Sequence, residues 1–156
     1  MTAPPAPPLV PPPLHLLDTN ILVHLARGQA VGQRIEADYA LLKTPYRPLV
    51  CIVTHGELFA FAAKRNWGPA KLSGLHHLLT QFVTVDIHDS RVVAAYAQID
   101  SQSQKMGRKM GKNDLWIAAV SHVATASLMT TDADFDHLHN AYLTLIKINS
   151  QTGKTI

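Results

Sequence analysis

The sequence predicts a three-layer α/β/α domain built on a central parallel sheet of about five strands, and three observations lead there. Short, mostly apolar runs of strand length recur along the chain, at Leu14–Leu17, Leu49–Val53, Phe82–Val85, Ser127–Thr130 and Leu143–Ile148. Segments with helical apolar spacing separate them, and runs that do not alternate with polar residues are those of strands covered on both faces. The chain has 156 residues, 47% hydrophobic and 16% charged, which suffices for one domain with a substantial core and excludes a disordered chain.

Residues 1–13 hold seven of the ten prolines and are expected to form an extended, polyproline-like arm. The folded domain is expected over 14–150, with 151–156 as a C-terminal tail. After the first strand, Ile21–Ala26 reads as a short helix ending near Gly28. Val31, Ile35, Tyr39 and Leu42 mark one face of a second helix, closed off by Pro45 and Pro48. A helix is expected from Thr54 to about Arg65, and another over Leu72, Leu75, Leu78 and Leu79. Val92, Ala95, Tyr96 and Ile99 supply the stripe of the next helix. A polar, basic stretch from Ser101 to Lys112 follows, in which Gly107 and Gly111 suggest a flexible loop. Leu115–Val123 is apolar almost all round, so this helix should be buried on most sides.

No apolar run reaches the length of a membrane span, and the N-terminus lacks the basic start and continuous apolar segment of a signal peptide, so a cytoplasmic protein is expected. Cys51 is the single cysteine and stands in an apolar run, where a buried packing role is expected. The formal net charge is +3, with only 11 acids against 14 Lys and Arg, which favours a polyanionic partner.

Where those few acids fall is informative. Asp18 ends the first strand and Asp132 follows the fourth. Glu57 lies just past the second strand, and Asp114 opens the most apolar helix. Each has an ordinary explanation. Asp18 and Asp132 suit turn or cap positions, Thr54 and Glu57 have the spacing of a capping box, and Asp114 could complement a helix dipole. In a parallel sheet, however, residues directly after the strands gather at one edge. Four carboxylates meeting there repel one another unless a cation neutralises them. Oxygen ligands without cysteine or paired histidine select Mg²⁺, with Mn²⁺ as the alternative, over Zn²⁺. The nine histidines form no metal-ligand spacing and are assigned to surface or ordinary packing, with His55 the one to watch beside Glu57.

Four stretches carry a family resemblance in order and rough spacing: Leu16-Leu17-Asp18-Thr19-Asn20, Thr54-His55-Gly56-Glu57-Leu58, Asn113-Asp114-Leu115-Trp116-Ile117-Ala118-Ala119, and Thr131-Asp132-Ala133-Asp134-Phe135. From Leu16 to about Ile148 the chain resembles PIN-domain ribonucleases of the VapC toxin type. The resemblance implies Mg²⁺-dependent cleavage of RNA, homodimerisation and control by an antitoxin. It implies Asp18 and Asp114 as principal metal ligands, with Glu57 and Asp132 completing the acidic cluster and the Thr19 hydroxyl supporting it. Of the two further acids, Asp136 is the better candidate for a supporting role than Asp134. The proline-rich arm departs from the usual start of such chains, where the first strand lies almost at the N-terminus.

Two metal ions, if bound, would lie about 3.5–4 Å apart and share a carboxylate, for which Asp18 is the choice, while Glu57 orients the attacking water. RNA approaching an acidic cleft needs cations at its rim, and Lys105, Arg108, Lys109 and Lys112 precede Asp114 directly. A helix carrying Phe59 and Phe61, with Trp67 beyond it, could offer an antitoxin peptide its groove. A phosphatase of the haloacid-dehalogenase type also begins with an Asp after its first strand, but wants a second acid where this chain has Asn20. A PIN nuclease of RNA maturation without an antitoxin, and a non-catalytic RNA-binding module, are the remaining alternatives.

Overall fold

The computed structural model describes residues 2–6 and 13–156, so most of the proline-rich arm lies outside the described residues. Five strands, β1 (His15–Leu17), β2 (Leu49–Cys51), β3 (Val83–Val85), β4 (Ser127–Thr130) and β5 (Leu145–Lys147), form one sheet in the order β3-β2-β1-β4-β5. Every pairing is parallel. The helices are α1 (Thr19–Arg27), α2 (Ala30–Tyr39), α3 (Ile52–Lys64), α4 (Pro69–Leu79), α5 (Ser90–Lys105) and α6 (Lys112–Ala124), with a 3-10 helix at Ala133–Leu138.

Alternation along the strands divides the core in two. Leu16, Cys51 and Leu128 join α5 and α6 on one face, while their neighbours Leu17, Val50 and Met129 join α1 to α4 on the other. The chain moves outward from β1 to β2 and β3, then returns past β1 to β4 and β5. Right-handed crossovers taken in opposite directions place their helices on opposite faces, which yields the three layers. The reversal at β1 and β4 opens a crevice beyond their carboxyl ends.

Several boundaries differ from the sequence reading. The second strand stops at Cys51, and the helix begins at Ile52 instead of Thr54. β-Branched Ile52 and Val53 read as strand, yet Ile52 is exposed and Val53 half-buried. Helix α2 ends at Tyr39, because Ala40 turns left-handed, and leaves Leu42 exposed beyond it. The fifth strand is confined to Leu145–Lys147, with Leu143 and Ile148 in isolated bridges to His139 and Thr155. Helix α5 runs on to Lys105, and the loop after it is pinned, since Met110 is buried and the Arg108 N–H donates to the Ser103 carbonyl. Residues 151–156 fold back, with Thr155 Oγ1 2.5 Å from the Tyr39 hydroxyl. Cys51 is buried, and burial pushes its thiol up to about 11. No helix of the described residues is long and apolar enough to cross a membrane.

Candidate active site

Asp18 stands where β1 turns into α1 and is 3% exposed. Its Oδ1 accepts from the Thr19 N–H at 2.8 Å, which makes it the N-cap of α1. Its Oδ2 accepts from Thr130 Oγ1 at 2.6 Å and from Asn20 Nδ2 at 3.1 Å. The cap and the site are therefore the same residue, one oxygen serving mainly each. Burial pushes the Asp18 carboxyl up to about 6. The Thr130 and Thr19 hydrogen bonds work against that rise, and the charges of Glu57 and Asp132 add to it.

Glu57 does not form the capping box with Thr54. Because α3 begins at Ile52 with Cys51 as its cap, both residues lie inside the helix and face α1. The Thr19 hydroxyl donates to Glu57 Oε1 at 2.6 Å and lies 3.1 Å from Thr54 Oγ1. Thr19 thus links the start of α1 to Glu57 on α3 through its hydroxyl.

Asp114 occupies the first turn of α6 and is half-buried. A helix N-terminus favours an anion, yet its carboxyl is pushed up to about 7, by burial first and then by the charges of Asp18, Asp132, Glu57 and Asp134. Burial, with the like charges added to it, outweighs the dipole here. Asp132 caps the 3-10 helix by accepting from the Asp134 N–H at 2.9 Å. Asp114, Asp132 and Asp134 each offer an oxygen, all within 4.8 Å of one another.

Asp134 therefore joins the cluster, whereas Asp136, favoured over it from the sequence, turns to Lys147 Nζ at 2.6 Å. Two residues with no assigned role also enter. Thr130 donates to Asp18 and accepts from the Asp132 N–H at 2.9 Å, and Asn20 accepts from the Thr131 N–H at 3.2 Å. The available signal for Thr130 is a fully buried hydroxyl at the tip of an apolar strand.

Lys105, Arg108, Lys109 and Lys112 are all exposed, and none pairs with an acid among the described residues. Lys112 shares a hollow of about 300 Å³ with Glu57 and Asp114, while Lys105 lies in another beside Tyr96 and Asp100. His55 turns away to Thr84 Oγ1 on β3, at 3.0 Å.

The donor set fits a hard divalent cation: carboxylate oxygens, with no Cys or His in the group of three and no Lys or Arg paired to them among the described residues. With such a cation held by these carboxylates, the site would be suited to holding and polarising a phosphate group.

A family model described as "PIN domain" matches residues 15–140. Ribonuclease VapC1 of Haemophilus influenzae is 28% identical over 119 residues, which cover 75% of this chain and 85% of that protein. The solved structure of VapBC-1 from nontypeable Haemophilus influenzae superposes with a TM-score of 0.72 at 22% identity, covering 86% of this chain and 97% of that one. FitAcB from Neisseria gonorrhoeae gives a TM-score of 0.67 at 26% identity, covering 85% and 96%.

Proposed function

The chain belongs to the PIN-domain family, and from that premise we propose that it is a metal-dependent endoribonuclease acting as the toxin of a toxin–antitoxin pair. The observation that carries the reading is the convergence of Asp18, Glu57, Asp114, Asp132 and Asp134 on one crevice, with no Lys or Arg paired to them among the described residues. The name of the ribonuclease relative and the VapBC complexes among the similar structures support the nuclease and the antitoxin respectively.

Asp114, Asp132 and Asp134, with Asp18 beside them, would hold Mg²⁺ or Mn²⁺. The bound cation would lower the pKa of water and neutralise charge on the phosphate and the leaving oxygen. The protein's own groups do the rest. Glu57, with Oε1 committed to the Thr19 hydroxyl, keeps its other oxygen to orient the attacking water and accept its proton. Asp18, fixed by three donors, sets the distance between the β1 and β4 arms. Lys112 is placed to meet a phosphate beside the acids, and Arg108, Lys109 and Lys105 extend the positive rim outward. A homodimer working in the cytoplasm, where its RNA substrate is found, completes the reading.

Inducing the wild-type chain and its Asp114→Asn variant in a bacterial host, and mapping new RNA ends, tests this reading. Growth arrest with discrete new ends in the wild type alone is expected. Absence of new ends on wild-type induction would contradict it.

A further inference from the structure

Ser103 is buried in the last turn of α5, 1% exposed. A serine inside a helix ordinarily turns its hydroxyl back to a carbonyl one turn earlier. Here Oγ lies 2.8 Å from His137 Nε2, 34 residues away in the chain, and 3.5 Å from Met110 Sδ. Either tautomer of the ring keeps the first bond. Nε2 accepts the Ser103 O–H, or donates to Oγ while the O–H turns to Met110.

The two side chains that Ser103 meets stand on the two segments that bring acids to the crevice. Met110 is buried directly before Gly111, the cap of the helix that opens with Asp114. His137 is half-buried on the 3-10 helix that Asp132 caps and that carries Asp134. Oxygens of Asp114, Asp132 and Asp134 lie within 4.8 Å of one another, so like charge pushes these segments apart. Phe135 and Leu138 seat the 3-10 helix on the core, but apolar packing is non-directional and lets a single short helix slide. Lys147 restrains it through Asp136, whose side chain is 58% exposed, and exposed ion pairs hold weakly. The Ser103–His137 bond has one partner shielded from water and a fixed direction.

We propose that Ser103 and His137 are positioning residues, whose hydrogen bond ties the end of α5 to the 3-10 helix and sets the spacing of Asp132 and Asp134 from Asp114. That spacing governs how tightly the acidic cluster takes a divalent cation. The pair itself touches neither the cation nor the RNA. The proposal rests on reading the cluster as a metal centre.

The probe is Mn²⁺ alone, titrated by calorimetry into the full chain as wild type, Ser103→Ala, His137→Leu, the double variant and His137→Gln, each first shown to be folded without metal by circular dichroism. Gln offers an amide near the place of Nε2, whereas Leu fills a similar volume without a polar atom. Ser103→Ala and His137→Leu should each weaken Mn²⁺ binding at least about fivefold, and Gln should recover most of that loss. The double variant should fall within about twofold of the weaker single, because both changes break one bond. Excess Mn²⁺ should bring RNA cleavage in these variants to within about threefold of wild type, since every group that touches the phosphate is kept. A role in folding alone would lower Tm and leave the Mn²⁺ affinity unchanged, which would overturn the proposal. So would losses that add in the double variant, a Gln variant no better than Leu, or cleavage that excess Mn²⁺ fails to restore. His137 is half-buried, so the comparison of Leu with Gln decides the matter whatever Ser103→Ala does to folding. Mn²⁺ binding that weakens in the variants, without cleavage by wild type, would sink the nuclease reading alone. Metal-dependent cleavage with unchanged affinity in the folded variants would sink this one alone.

Discussion

The Thr130 hydroxyl donates to Asp18 Oδ2 at 2.6 Å and accepts from the Asp132 N–H at 2.9 Å, so one side chain ties the carboxylate after β1 to the loop that carries two more. Replacing it with the near-isosteric Val removes both bonds at a fully buried position. Thr130→Val should cost about 1.5–3 kcal/mol of stability at pH 8, where Asp18 is ionised. It should also weaken Mn²⁺ binding, measured by calorimetry, by about tenfold or more. Thr130→Ser keeps the hydroxyl and should retain most of both; equal loss in Ser and Val would assign the effect to packing.

The raised carboxyls make a pH prediction with a definite sign. Asp18 is pushed up to about 6 and Asp114 to about 7, from an ordinary 3.8. Between about pH 4 and pH 7 the folded, metal-free chain holds protons that the unfolded chain has released, so these two groups lower stability as pH rises through that window. Burial holds the imidazoles of His15, His24, His55 and His137 below their ordinary value, which acts in the opposite direction, so the Tm of metal-free protein should decline more, or rise less, from about pH 5 to pH 7.5 in wild type than in an Asp114→Asn variant. Excess Mn²⁺ should raise it by several degrees at pH 7.5 and hardly at all at pH 5, because protons compete for the same oxygens. A metal-induced Tm shift independent of pH would contradict this.

Gly32 lets α2 approach α1. A Cβ there would overlap the His24 carbonyl oxygen and lie 2.8 Å from its carbon, both backbone atoms that cannot step aside. Gly32→Ala should destabilise the fold by about 1–3 kcal/mol in urea unfolding, the usual cost of overpacking. Since α1 carries Thr19, cleavage should fall as well. A Gly74→Ala control in α4, where nothing lies within 4 Å, should be neutral or better.

Position separates the four cations of the rim. Lys112 shares the acidic hollow, whereas Lys105 lies beside Tyr96 and Asp100. Lys112→Ala should weaken RNA binding at least about threefold and reduce the salt slope by about one, with Lys105→Ala the milder change. Equal effects would mean that RNA follows the outer face of α5.

The five parallel strands, the covering helices and the acids after the strands were legible because buried strands and helical stripes leave separate periodicities, whereas the order of the strands in the sheet was not. Motif order then singled out Asp18, Glu57, Asp114 and Asp132. What escaped depends on a residue or two of register. Ile52 and Val53 have strand composition but begin α3, and this alone turns the Thr54–Glu57 capping box into two residues facing Thr19. The choice between Asp134 and Asp136 could not be made from spacing, since the 3-10 helix that separates their directions has no apolar period of its own. Lys147, which takes Asp136 away, stands on β5, and nothing local links the two. Thr130 looked like one more strand residue because its partners are 112 residues earlier and two residues later.

We propose that the carboxylates around Asp18 and Asp114 bind a divalent cation to cleave RNA. The most direct measurement is the rate of cleavage of a single-stranded RNA by purified wild type, Asp18→Asn and Asp114→Asn, each titrated with Mn²⁺ from a chelated start. No wild-type cleavage is expected under chelation, with saturable recovery on adding metal and a loss of about a hundredfold or more in both variants at saturating metal. Cleavage that persists under chelation, or full activity in either variant, would contradict it.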